Sequence, residues 1–145
     1  MTVTALIVAA GKGERLGGGL PKQFRSLAGK AVLRWAVEPF LKHSAVTEVR
    51  VVVGPGQEQI AAEVLAGLDV GPFVTGGAER ADSVRAGLEA IATEAVLVHD
   101  AARPFCPAGV IDRLVASLEF HGAHFSVAEG RLYILDEAEE HFRPA

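Results

Sequence analysis

One apolar run that ends abruptly in glycine most constrains this chain. Ala5-Leu6-Ile7-Val8-Ala9-Ala10 gives way at once to Gly11-Lys12-Gly13-Glu14-Arg15. The run is far shorter than the about 20 apolar residues of a bilayer span and is rich in strand formers. A buried strand followed by a glycine-rich turn lets bare backbone N–H groups approach a phosphate. Glycine suits the turn because it lacks a Cβ and adopts positive φ freely. Arg15 and Lys22 add positive charge beside the turn, and Pro21 stiffens the segment before Lys22. Glycine-rich turns also occur where nothing binds, but two cations on so short a segment favour phosphate. Residues 9–22 are therefore expected to hold the triphosphate of a nucleotide. The GxxxxGK[ST] pattern of a P-loop is absent. The dinucleotide fingerprint also fails, because Gly11-x-Gly13 is followed by Gly17 and the third glycine falls one residue late.

The rest of the chain repeats the alternation. Val46 to Val53 reads as a second strand closed by Gly54-Pro55-Gly56. A short strand is expected around Pro72 to Val74, and another at Ala95 to His99, ending before Asp100. Helical spacing of apolar residues predicts helices at Val32–His43, Gln57–Leu68, Asp82–Ala92 and Ala108–Phe120. Trp35, the sole tryptophan, reads as helix-face packing, and His43 falls in the last turn of its helix. Strands that are continuous apolar runs, separated by helices of about three turns, predict right-handed βαβ units on a parallel sheet covered on both faces. The expected fold is a three-layer α/β/α arrangement with a mostly parallel, Rossmann-like sheet.

Ligands of such sheets bind beyond the carboxyl ends of the strands, and the polar clusters lie there. The second cluster is Gly76-Gly77-Ala78-Glu79-Arg80-Ala81-Asp82-Ser83. It reads as an ordinary capped helix start, with Asp82 or Ser83 as N-cap. Facing a nucleotide, the Gly77 backbone and Ser83 could also reach a base or ribose. The third cluster is His99-Asp100-Ala101-Ala102-Arg103-Pro104. Asp100, at the end of a buried strand, suits magnesium, which is held by one or two carboxylates together with substrate phosphates. The alternative is an aspartate that caps the turn. His99 is expected to point into the fold, and Arg103 to pair with Asp100 or to touch substrate. Together the groups suit attack by one phosphate on the α-phosphorus of a nucleoside triphosphate, which needs alignment and charge neutralisation and no nucleophilic side chain.

The chain has 145 residues, enough for one domain at 1–145, and half of them are hydrophobic. A net charge of −4 excludes general attraction to nucleic acid or to an anionic membrane. No signal-peptide pattern opens the chain, and Cys106, the only cysteine, fits a reducing cytoplasm.

Three runs in order, Ala9 to Phe24 (AAGKGERLGGGLPKQF), Gly76 to Leu88 (GGAERADSVRAGL) and Val96 to Phe105 (VLVHDAARPF), carry a resemblance to the 2-C-methyl-D-erythritol 4-phosphate cytidylyltransferases of the non-mevalonate isoprenoid pathway. The likeness covers about residues 3–120, and the PKQ and HDAARP segments separate this family from most other sugar-phosphate nucleotidyltransferases. It implies a nucleotidyltransferase-type sheet and transfer of CMP from CTP to methylerythritol phosphate. By position, Ala9, Ala10, Gly11 and Gly13 would cradle CTP, and Arg15 and Lys22 would be the charged catalytic pair. Gly77 and Ser83 would contact cytosine, and Asp100 would bind Mg2+. Ala78 departs from the aspartate often found after the glycine pair, so one contact is absent or supplied elsewhere. The GGGLPKQ form resembles versions fused to a cyclodiphosphate synthase.

The family continues for about ninety more residues, with an extended β-arm that holds methylerythritol phosphate and builds a homodimer. That arm, a late lysine and an aspartate are not evident here, so the domain is expected to be incomplete at its C-terminal end. Phe125 to Gly130 resembles the strand before that lysine. Arg131 to Leu135 reads as a last strand and Asp136 to Phe142 as a short acidic helix. Two other readings stand beside the cytidylyltransferase: a catalytically impaired CTP-binding fragment, and a related enzyme acting on another pentitol phosphate. A dinucleotide-binding domain would need an acidic residue after the second strand, where Val53-Gly54-Pro55 has none.

Overall fold

The computed structural model describes residues 1–11, 19–121, 124–128, 131–135 and 142–144, with side chains described through residue 119. Its centre is a four-stranded, all-parallel sheet built from β1 (Val3–Ala9), β4 (Glu48–Val53), β5 (Val74–Thr75) and β6 (Ala95–Asp100), in the order β5-β4-β1-β6. In register, Ala9 lies opposite Val53 on one side of β1, and Val8 lies opposite Asp100 on the other.

Period-two alternation sorts the strand side chains onto two faces. Val3, Ala5, Ile7, Val49, Val51, Val53, Ala95 and Leu97 share one core cluster with α1 (Val32–Lys42), α2 (Glu58–Val64) and α4 (Ala108–His121). Leu6, Val8, Val52, Val96 and Val98 share the other with Val84 of α3 (Arg80–Glu89). The expected three layers are present, with three helices on one face and α3 on the other. Contact on the α3 side is close. A Cβ added at Gly87 would come within 2.6 Å of a Leu6 methyl and 3.0 Å of a Val52 methyl.

The chain leaves β1 toward β4 and β5, then crosses on α3 to β6 on the opposite side of β1. That reversal opens a crevice at the carboxyl end of β1, where ligands of open α/β sheets bind.

Several boundaries differ from expectation. The short strand is Val74–Thr75, displaced toward the glycine pair. α2 ends at Val64, Leu65 to Gly67 form a turn, and the Val64 and Ala66 carbonyls accept from Arg34 Nη1. α3 starts two residues earlier than read. Its N-cap is Glu79, not Asp82 or Ser83, and Asp82 instead completes a capping box by accepting from the Glu79 N–H at 3.1 Å. A hairpin of β2 (Ser26–Leu27) and β3 (Lys30–Ala31) precedes α1, its two turn residues Ala28 and Gly29 both at positive φ. Beyond α4, β7 (His124–Ala128), β8 (Arg131–Leu135) and β9 (Phe142–Pro144) form an antiparallel sheet. Phe142 thus opens a strand, and the rest of the expected acidic helix, 136–141, lies outside the described residues.

Candidate functional site

Three loops leave the carboxyl end of the sheet beside β1. The first follows Ala9, which is buried, and runs through half-buried Ala10 to exposed Gly11. Gly13 and Arg15, expected in this loop, lie outside the described residues. The chain returns through Pro21 to a 3-10 turn, Lys22–Phe24, closed by the Phe24 N–H donating to the Pro21 carbonyl. Lys22 is exposed, whereas Gln23 and Phe24 are buried. Gln23 Nε2 donates to the Ala9 carbonyl at 2.8 Å and to the Gly11 carbonyl at 2.7 Å. The turn that carries Lys22 is thereby fastened to the mouth of the first loop.

The second loop lies against the first. The Gly76 N–H donates to the Val53 carbonyl at 2.7 Å, extending the sheet by one bond. A Cβ at Gly76 would stand 2.5 Å from Ser83 Oγ and 2.6 Å from Ala10 Cβ, so only glycine permits the two loops to touch this closely. Ser83 is 1% exposed; its Oγ accepts from the Gly77 N–H at 3.2 Å and donates to the Glu79 carbonyl at 3.4 Å. Its hydroxyl therefore shapes the glycine turn from beneath. The Gly77 backbone is the part of this pair nearer the surface.

The third loop begins at Asp100, the last residue of β6. Alternation sends Asp100 to the α3 face and His99 to the opposite one. Asp100 Oδ1 accepts from Arg80 Nε at 3.2 Å, joining the third loop to the second. The carboxylate's partner is thus Arg80, not Arg103, whose side chain is exposed and whose N–H donates to the Asp100 carbonyl. His99 is buried against Phe40, ring centroids 5.1 Å apart, with Nε2 2.8 Å from the Arg103 carbonyl. Burial holds its imidazole below the usual pKa, opposed by the Arg103 hydrogen bond. It is a neutral structural group here.

Sequence reasoning passed over Gln23 and Arg80. Their signals were present, in the PKQ triplet and in the arginine four residues beyond Gly76. Trp35 is a packing residue as expected: its Nε1 donates to the Leu27 carbonyl at 2.6 Å, and Lys30 Nζ lies 3.6 Å from its ring centre. Among the described residues no three His, Cys, Asp or Glu side chains gather into a metal cage. Also among the described residues, no helix is long and apolar enough to cross a membrane.

An open parallel sheet with glycine loops meeting an acidic strand end at its switch point defines a Rossmann-like α/β protein. Residues 3–129 match the family described as IspD: 2-C-methyl-D-erythritol 4-phosphate cytidylyltransferase, and the chain belongs to that family. It is 57% identical over 118 residues to a bifunctional enzyme IspD/IspF of Rhizorhabdus wittichii, covering 81% of this chain and 31% of that relative. A solved 2-C-methyl-D-erythritol 4-phosphate cytidylyltransferase of Thermus thermophilus is 37% identical, with a TM-score of 0.67 over 86% of this chain and 53% of that one. The 4-diphosphocytidyl-2C-methyl-D-erythritol synthase of Anaerococcus prevotii, at 23% identity and a TM-score of 0.70, covers 98% of this chain and 62% of its own, and shares the fold. The chain therefore spans about a third of the length of the curated relatives it matches.

Proposed function

We propose that the chain carries the cytidylyltransferase site that moves CMP from CTP to 2-C-methyl-D-erythritol 4-phosphate, releasing pyrophosphate. The observation that carries this reading is the contact of Gly76 with Ala10 and Ser83. It brings two of the three family-matched segments together at the crevice, and the Arg80–Asp100 pair adds the third.

In this reading Ala9, Ala10, Gly11 and Gly13 present backbone to the triphosphate, and the Gly77 backbone contacts the base. Ser83 acts on the base through the shape it imposes on Gly77. Lys22 and Arg15 neutralise charge as the α-phosphorus is attacked and pyrophosphate leaves. Asp100 offers a single carboxylate at the crevice, a hard oxygen ligand that fits magnesium held partly by substrate phosphates. When bound, magnesium supplies charge neutralisation on the phosphate oxygens. Arg80 must then share Asp100 with the ion.

The test is pyrophosphate release from CTP with methylerythritol phosphate, run beside ribitol phosphate. Turnover with the first alone is expected. Equal or greater turnover with ribitol phosphate would reassign the acceptor, and CTP binding without turnover would leave a nucleotide-binding unit. Absence of CTP binding at millimolar concentration would overturn the reading.

A further inference from the structure

We propose that Gln23 is a positioning residue that aims the backbone of the first loop at nucleotide phosphates. This rests on the phosphate role given above to residues 9–22. In a parallel pair, every second strand carbonyl accepts from the residue after its opposite number, as the Val8 carbonyl does from the Ala101 N–H at 3.0 Å on the β6 side. By the same rule Ala9, opposite Val53, should accept from Gly54. It does not. The Gly54 N–H donates instead to Gln57 Oε1 at 3.0 Å. The Ala9 carbonyl would be left without its ladder bond, and Gln23 Nε2 supplies the replacement at 2.8 Å. Two glutamines therefore divide one broken ladder bond between them, and the strands are released from each other where the crevice opens.

The second hydrogen of the same amide goes to the Gly11 carbonyl at 2.7 Å. Gln23 is 5% exposed and its bond to Ala9 is buried, where loss of a partner is costly. In a planar trans peptide the N–H points opposite to the C=O. Drawing the Ala9 carbonyl to Gln23 turns the Ala10 N–H away from that side chain. The bond to the Gly11 carbonyl fastens the far side of Ala10 to the same side chain. One buried amide thus fixes the aim of the Ala10 N–H, and a fixed backbone N–H is what a phosphate cradle requires. The residue before it, Lys22, is carried on the same 3-10 turn, so the lysine and the cradle are held in one relation.

The experiment measures binding of CTP, ATP and inorganic tripolyphosphate, each with Mg2+, by calorimetry, at a temperature where circular dichroism shows every variant folded. Gln23→Met keeps the length and bulk and removes both donors. Gln23→Asn keeps the amide and is shorter. A donor role predicts that Met loses about ten- to a hundredfold in tripolyphosphate and CTP affinity and that Asn loses less. A packing role predicts the reverse order, because Met fills the space and Asn does not. Met binding like the parent, or Asn weaker than Met, overturns the proposal. Should Gln23→Met not fold, Gln23→Glu takes its place with the same expectation. The parent binding triphosphates without preferring CTP, while Gln23→Met loses them, would refute the cytidylyltransferase reading and uphold this one. A parent that prefers CTP and a Met variant equal to it would do the opposite. No triphosphate binding by the parent overturns both.

Discussion

Arg80 Nε donates to Asp100 Oδ1 at 3.2 Å, and this pair joins the start of α3 to the end of β6. Arg80 is 41% exposed at its side chain, so the pair contributes little to stability, about 0–1 kcal/mol. Its effect is to occupy the carboxylate proposed to hold magnesium. Arg80→Ala is expected to leave the melting temperature nearly unchanged and to shift a Mg2+ titration without nucleotide to lower concentration. A shift to higher concentration would show that Arg80 helps to assemble the ion site.

Gly76→Ala should be costly. Its Cβ would meet Ser83 Oγ and Ala10 Cβ well inside contact distance. Overpacking of this kind costs about 1–3 kcal/mol, read as a lower urea midpoint. The same change should weaken CTP binding, because the first two loops can then no longer touch. An unaltered midpoint would mean that the loops are free to separate.

Lys22 is exposed at the head of its turn, and the bonds that fix that turn come from backbone groups and the Gln23 side chain, not from the lysine side chain. Lys22→Ala is therefore expected to keep the fold, with unchanged circular dichroism, and to lower turnover about a hundredfold or more. Unchanged turnover would remove Lys22 from the proposed chemistry.

His99 gives a pH signature. Burial depresses its pKa in the folded state, so the unfolded chain takes up the proton first as pH falls. The folded state should lose stability as pH drops below about 6.5, levelling beneath the depressed value. Urea midpoints between neutral and mildly acidic pH measure this slope, and His99→Gln should flatten it.

Glu38 should act in a lower window. Its hydrogen bond with Lys30, at 2.9 Å, lowers its pKa against the opposing effect of burial, and Lys42 and Arg34 add attraction. The stabilisation is full above the ordinary glutamate value of about 4.3 and is lost as pH falls through the lowered one. Glu38→Gln should remove this acid dependence from thermal melts.

The sheet was readable because buried parallel strands are continuous apolar runs, and Ala5–Ala10, Val46–Val53 and Ala95–His99 stand out against their neighbours. Alternation also decides between adjacent residues: with Leu97 on one face and Val98 on the other, His99 goes inward and Asp100 turns to α3. The β2–β3 hairpin was not readable, because its turn uses Ala28 at positive φ where asparagine or glycine is the usual signal. The start of α3 was missed for a related reason. Both Asp82 and Ser83 are good caps, yet Asp82 bonds backward to Glu79 and Ser83 is drawn under the glycines. Arg103 stands three residues from Asp100 and so offers itself as a partner, whereas Arg80 is twenty residues away and local spacing gives no reason to consider it. The fold instead brings α3 across the sheet, a distance that local spacing does not encode.

That crossing gives Gly87 an influence out of proportion to its size. It lets α3 rest directly on Leu6 and Val52. Arg80 lies seven residues earlier, about 10 Å along the same rod at 1.5 Å per residue. A bulkier side chain at position 87 would act as a wedge under one end of a lever. The other end carries Arg80 and the glycine turn, so a residue touching no ligand would set how wide the crevice stands.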